Sequence, residues 1–137
     1  MDAEQEAIVA ELAPIEDPME KYGYLVRLGR ALLVPDTSIR QEAHLVSGCQ
    51  SRVWIRAELH DGRLRLAADS DAMITRGLIA LLLRVFDGRT PAEIVEGDLF
   101  FLDRSGLGRH LSPARGNGLA AMVHTIRSYA EQAGGSA

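Results

Sequence analysis

The chain has 137 residues, of which 47% are hydrophobic and 25% charged, and its formal net charge is −4. This composition is typical of one globular domain with an apolar core, so we expect a single domain over residues 1–137, and the negative charge argues against a general nucleic-acid-binding protein. The single cysteine excludes an internal disulfide, and no leader peptide or membrane-spanning run is visible, so we expect a cytoplasmic protein with no membrane partner.

Two helices are predicted first in chain order. A short helix is expected from about Ala3 to Leu12, because Pro14 would stop it. Asp17 and Pro18 then have the positions of an N-cap and a first helical residue. We expect residues 35–36, a Pro-Asp pair, to end this second helix. Its apolar face is formed by residues at helical spacing: Tyr22, Leu25, Val26, Gly29, Leu32 and Leu33.

The middle of the chain changes to a period of two, which predicts strands. From residue 52 to 59, apolar Val53, Ile55, Ala57 and Leu59 alternate with Arg52, Trp54, Arg56 and Glu58. The His60-Asp61-Gly62 segment predicts a hairpin turn, and alternation resumes at Leu64 and Leu66. A weaker strand is expected from Arg40 to Val46. We therefore expect a small antiparallel sheet of about three strands, packed against helices.

A buried central helix is predicted next, from Ala72 to Phe86, because this segment is apolar nearly all round. One residue of the preceding Asp69–Asp71 segment is expected to cap it. Gly77 lowers the intrinsic stability of the helix, so its presence indicates close packing there.

Two more helix starts follow, at Thr90-Pro91 and at Ser112-Pro113, each with an N-cap residue followed by proline. We expect the tail at 133–137 to fray. The last helix has one apolar stripe: Leu119, Met122, Val123, Ile126 and Ala130. The order of helices, then strands, then helices predicts an α+β fold.

Metal and cofactor motifs are not visible in this sequence. A zinc site needs closely spaced ligands, and the candidate residues are scattered. These are Cys49 and the histidines His44, His60, His110 and His124. No P-loop or nucleophile elbow is visible either. We expect no metal site and no bound cofactor.

Cys49 has an unusual setting, within the segment LVSGCQSRVW. It follows Gly48, whose backbone is permissive, and it interrupts the alternating pattern, which together predict a turn tip. A lone cysteine is often a small buried hydrophobe, and that alternative stays open. Arg52 lies three residues on and could favour the thiolate. A disulfide oxidoreductase needs a resolving cysteine, so a lone reactive thiol favours a carrier of a transferred group.

Four collinear segments resemble SufE-type sulfur acceptors: SGCQSRVW, DSDAMITRGLIALLL, GRTPAEI and HLSPARGNGLAAMV. The earlier segment PMEKYGYLVRLGRAL is similar to the N-terminal helix pair of that family. The resemblance extends over about Pro18 to Ala130. It implies an α+β fold like that of the cluster scaffold IscU, with the cysteine on a loop that can be tucked into an apolar pocket or extended.

The resemblance also implies a function. A SufE-type protein partners a pyridoxal-phosphate-dependent cysteine desulfurase, of SufS or CsdA type, and stimulates it. Its cysteine takes sulfur from the desulfurase as a persulfide and delivers it to iron–sulfur cluster assembly, on a SufBCD-type scaffold or another acceptor. The SufE and CsdE subtypes share these motifs. Such a protein is a covalent sulfur carrier rather than a stand-alone enzyme.

By the same resemblance Cys49 is the acceptor. Supporting or partner-facing positions are implied for Gly48, Gln50, Ser51, Asp71, His110 and Arg115. Arg115 could hold the thiolate or persulfide anion, or it could be a helix-start arginine in an ion pair. Asp71 could also act as a helix cap.

Three other functions are alternatives to the sulfur carrier. An IscU-like scaffold needs several thiolate ligands for a cluster, and one cysteine does not supply them. A non-catalytic regulator would bind the desulfurase with Cys49 in a structural role. A thiol redox sensor would need an exposed, oxidant-reactive thiol at rest.

Overall fold

The computed structural model describes residues 1–34 and 37–135, and it has the expected α+β organisation. The helices found there are α1 (Asp2–Leu12), α2 (Pro18–Ala31), α3 (Met73–Phe86), α4 (Pro91–Glu96), α5 (Phe101–Ser105) and α6 (Pro113–Ala130). The strands are β1 (Val53–His60) and β2 (Arg63–Ser70). None of the helices in these ranges is long and apolar enough to cross a membrane.

The helix starts are set by local capping. The Asp17 carboxylate accepts the N–H of Met19 at 3.0 Å, and Thr90 with Glu93 forms a complete capping box at α4. The Ser112 hydroxyl accepts the N–H of Arg115 at 3.2 Å at the start of α6. These caps confirm the predicted helix starts.

The ends of α2 and α6 differ in the residues that follow them. α2 ends at Ala31, so Leu32 and Leu33 lie beyond it, and Leu33 is 90% exposed. The Pro-Asp pair at 35–36, predicted to end that helix, lies outside the described residues. After α6, Glu131–Gly135 form a π-helical turn. The fraying predicted for 133–137 stays a prediction.

The sheet has two strands in the described part of the chain, so the predicted third strand is wrong. β1 and β2 pair from Val53 opposite Ser70 to His60 opposite Arg63. The turn residues Asp61 and Gly62 have φ of 51° and 76°, as a two-residue hairpin requires. The segment predicted as a third strand instead forms a 3₁₀ turn at Glu42–His44 and one isolated bridge, Leu45 to Trp54. Its exposed polar residues give it too little alternating apolar surface to pair further.

The region between α4 and α6 was not predicted. α5 and a 3₁₀ turn at Leu107–His110 fill it, and they bury Phe101 and Leu107 completely in the core. Elements of four or five residues are too short to show a hydrophobic period.

A close helix contact joins α2 to α3 through two glycines. A Cβ atom on Gly77 would overlap the Leu25 carbonyl, and a Cβ on Gly29 would overlap the Met73 carbonyl. Arg76 fixes the same contact, because its guanidinium donates to the Gly29 carbonyl at 3.0 Å and to the Asp69 carboxylate. The close packing expected at Gly77 is thus confirmed.

Replacing Gly77 by alanine is expected to destabilise the protein by about 1–3 kcal/mol, because the new methyl meets rigid backbone. Gly116→Ala in α6 is the matched control, since nothing lies within 4 Å of its added Cβ. There, the higher helix propensity of alanine should raise stability by up to about 1 kcal/mol. Urea unfolding of both variants measures the difference. Equal effects of the two substitutions would contradict the packing.

Candidate functional site

Cys49 lies on the loop that leads into β1, directly after a tight turn. Gly48 has a φ of 92°, a conformation that residues with a Cβ rarely adopt, so glycine is required at that turn. Cys49 is half-buried, and its Sγ–H donates to the backbone carbonyl of Gly118 at 3.5 Å. The predicted turn therefore presents the thiol to α6 rather than to solvent.

A cavity of about 100 Å³ adjoins the thiol. It lies between the cysteine loop, the first half of α3 and the first turns of α6. Its lining residues are Cys49, Gln50, Ser51, Thr75, Leu78, Ser112, Ala114, Arg115, Gly118 and Met122. A water molecule occupies about 30 Å³ in the liquid, so the space next to Sγ can take a small added group.

The electrostatics of the cavity favour an anion. The first turn of α6 lines it and contains no acidic residue, so the positive end of that helix dipole is not offset locally. The exposed Arg115 guanidinium makes no hydrogen bond or ion pair with any residue in 1–34 or 37–135. The ion-pair alternative considered for Arg115 is therefore not observed in the described part of the chain. The guanidinium belongs to a residue that lines the cavity and has no partner in that part of the chain.

The resting thiol is nevertheless neutral. Burial raises the pKa of the Cys49 thiol above its ordinary value, and burial is the only cause of the shift. The thiolate is the nucleophile, so a raised pKa makes the tucked-in thiol slow to react at neutral pH. The expected lowering of this pKa by Arg52 is not found in this arrangement. A change that exposes the thiol would lower this pKa and speed its reaction.

The far end of the loop is tied to the sheet at Arg52. The Asp71 carboxylate accepts the Arg52 N–H at 3.1 Å, and the Ser70 hydroxyl donates to the Arg52 carbonyl at 2.7 Å. The prediction that Asp71 caps α3 is wrong, because Ala72 is the N-cap and its N–H bonds to Ser70 Oγ at 3.2 Å. Asp71 instead fixes the point at which the loop ends.

The other predicted site residues divide into two groups. Gln50 and Ser51 line the cavity beside Cys49. His110 does not, and its carbonyl accepts the hydroxyl of Tyr22, so its observed role is to hold the chain before α6. No group of three or more potential metal-ligating side chains occurs among the residues that the structure describes.

Several cavity residues escaped sequence reasoning. Gly118 and Met122 are four residues apart on α6, and Leu78 belongs to the buried face of α3. Apolar residues of this kind look like ordinary core in a sequence. Thr75 gave a usable signal, because it is a polar residue within a helix that is otherwise largely apolar.

Asp71→Ala is expected to speed alkylation of Cys49 by iodoacetamide about fivefold, because one hydrogen bond of about 1 kcal/mol no longer holds the loop. Asp87→Ala is the matched control, since that carboxylate accepts the Leu66 N–H at 2.8 Å, away from the loop. It should leave the labelling rate unchanged. In the wild type, labelling should be slower in the native protein than in urea. Equal native and unfolded rates would contradict a sheltered thiol.

A solution structure of a hypothetical protein from Thermus thermophilus has a similar fold, with a TM-score of 0.77 at 19% identity, covering 95% of each chain. The protein-family model described as "SufE: Fe-S metabolism associated domain" matches residues 6–130. The chain therefore belongs to the SufE family, whose members are associated with iron–sulfur metabolism.

Proposed function

We propose that Cys49 accepts sulfane sulfur from a pyridoxal-phosphate-dependent cysteine desulfurase and carries it, as a persulfide, to iron–sulfur cluster assembly. One observation carries the proposal: a lone thiol, in a SufE-family chain, faces a small cavity at the positive end of α6. A structural cysteine would need no such adjoining space. A carrier needs both a thiol and room for its cargo.

The transfer is a thiol–persulfide exchange without net oxidation. The Cys49 thiol first loses its proton to solvent or to a base of the partner. The thiolate attacks the outer sulfur of the persulfide on the desulfurase, and a new S–S bond forms. The S–S bond in the desulfurase breaks, and its cysteine leaves as a thiolate. Delivery repeats the exchange, with the acceptor thiolate attacking the outer sulfur on Cys49.

The tucked and extended positions of the loop have separate uses. In the tucked position burial keeps the thiol protonated, which protects it from oxidation. An extended loop would bring Cys49 to the partner while Arg52 stays held by Ser70 and Asp71. Gly48 can supply the change in backbone angles at the other end of the loop.

The partners that we propose are those implied by the resemblance to SufE-type proteins. The donor is a desulfurase of SufS or CsdA type, and the acceptor is a SufBCD-type scaffold or another sulfur acceptor in the cytoplasm. Removal of sulfur regenerates the free cysteine of the desulfurase, so the carrier stimulates its turnover. This action makes the protein a sulfurtransferase partner rather than a stand-alone enzyme, without a cofactor of its own.

Cys49→Ser is expected to abolish stimulation of the desulfurase while leaving binding and folding nearly unchanged. Serine has a similar size, but its hydroxyl is scarcely ionised at neutral pH and forms no persulfide. Turnover should return to the rate of the desulfurase alone. The dissociation constant of the complex with the desulfurase, measured by titration calorimetry, should equal that of the wild type. If the serine variant stimulates like the wild type, the protein is a regulator and Cys49 is not the acceptor.

Arg115→Ala is expected to slow sulfur uptake about two- to fivefold, because an exposed cation near an anion contributes up to about 1 kcal/mol. The thermal midpoint should not change, since the guanidinium has no partner within the described residues. Arg65→Ala removes an exposed arginine of β2 that does not line the cavity, and it should transfer sulfur normally. A lowered midpoint with normal uptake would show a structural role for Arg115.

A further inference from the structure

Thr75 has an unusual environment among the buried polar residues. It lies in the first turn of α3, is 8% exposed and lines the cavity next to Cys49. Its hydroxyl makes no hydrogen bond with any residue in 1–34 or 37–135. Thr125 in α6 shows the usual arrangement, since its hydroxyl donates to the Ala121 carbonyl at 2.9 Å. The hydroxyl itself is not fully buried, because Arg127 Nε is the only fully buried side-chain nitrogen or oxygen without a partner among the described residues. Thr75 therefore offers an unpaired donor where it lines the cavity.

The resting thiol does not supply the missing partner. Cys49 Sγ–H donates to the Gly118 carbonyl, so the thiol hydrogen points to α6. A protonated sulfur is also a weak acceptor. A group that fills the cavity and carries negative charge would be a much stronger acceptor for the Thr75 hydroxyl.

We propose that the Thr75 hydroxyl donates a hydrogen bond to the outer sulfur of a persulfide on Cys49, and so binds the cargo in its anionic form. The proposal rests on the proposed function for the identity of the cargo. A persulfide is more acidic than its parent thiol, so the same cavity can hold a neutral thiol and an anionic persulfide. The lone hydroxyl is then an unpaired donor in the empty carrier and a paired donor in the loaded one.

The other charges near the cargo favour the same ionisation. Arg115 is the only charged residue among those lining the cavity, and it lies in the first turn of α6. Substitutions at Thr75 leave both this charge and the helix dipole in place. A change in the persulfide pKa on removal of the hydroxyl therefore reports the hydroxyl itself.

Three variants separate hydrogen bonding from packing. Thr75→Val keeps the shape and removes the hydroxyl, whereas Thr75→Ser keeps the hydroxyl and removes a methyl. Thr125→Val removes a hydroxyl that does not line the cavity. Because the hydroxyl is unpaired in the thiol form, Thr75→Val should leave the thermal midpoint of the unloaded protein unchanged or raise it.

The persulfide can be made without a desulfurase. The thiolate of Cys49 attacks a terminal sulfur of tetrasulfide, which leaves a protein persulfide anion and releases trisulfide. Excess reagent is removed, and intact mass confirms one added sulfur atom. The rate at which iodoacetamide alkylates the loaded sulfur is then measured as a function of pH. The pH at which this rate reaches half its maximum gives the persulfide pKa.

In Thr75→Val the persulfide pKa should rise by about one unit or more, because a hydrogen bond to a charged group is lost. Thr75→Ser and Thr125→Val should match the wild type. The same pKa in wild type and Thr75→Val would overturn the proposal. An equal rise in Thr75→Ser would also overturn it, because the effect would then come from packing. Chemical loading keeps this test independent of whether a desulfurase is the natural donor.

Discussion

The contact between Gly29 in α2 and Gly77 in α3 is the constraint on which the rest of the structure depends. Only residues without a Cβ allow the two backbones to approach this closely. The contact fixes α3 in the core, and the residues beside Gly77 then serve the site. Arg76 ties the end of α2 to the buried Asp69 at the end of β2, while Thr75 and Leu78 line the cavity.

Burial sets the ionisation of the resting sulfur in that cavity, because it raises the pKa of the thiol and keeps it protonated. The first turn of α6, which has no acidic residue, and the exposed Arg115 line the same cavity, and in our account they favour a cargo that is already an anion. In our account, a weakly acidic thiol stays neutral under this balance, and a more acidic persulfide ionises. One cavity can therefore shelter the empty carrier and hold the loaded one.

Local signals in the sequence predicted much of the fold. The caps at Asp17, Thr90 and Ser112 and the hairpin turn rest on neighbouring residues, and the structure agrees with them. The alternation predicted for β1 holds only in part, because Trp54 is buried and Leu59 is 55% exposed. The predicted third strand failed because the exposed polar residues of that segment give it too little apolar surface to pair beyond one bridge. Asp71 was assigned to the wrong role because its partner, the Arg52 N–H, lies 19 residues away. Likewise, nothing local shows that Gly118 and Met122 pack against the cysteine loop.

The central claim is that sulfur moves onto Cys49, and intact mass spectrometry tests it most directly. The protein is mixed with a purified cysteine desulfurase and cysteine, and the reaction is quenched. The intact mass of the protein is then measured, and the modified residue is located by peptide mapping. We expect a gain of one sulfur atom on the peptide that contains Cys49, and its loss on treatment with a reductant. An unchanged mass, while the desulfurase turns over faster and keeps its own persulfide, would contradict the account.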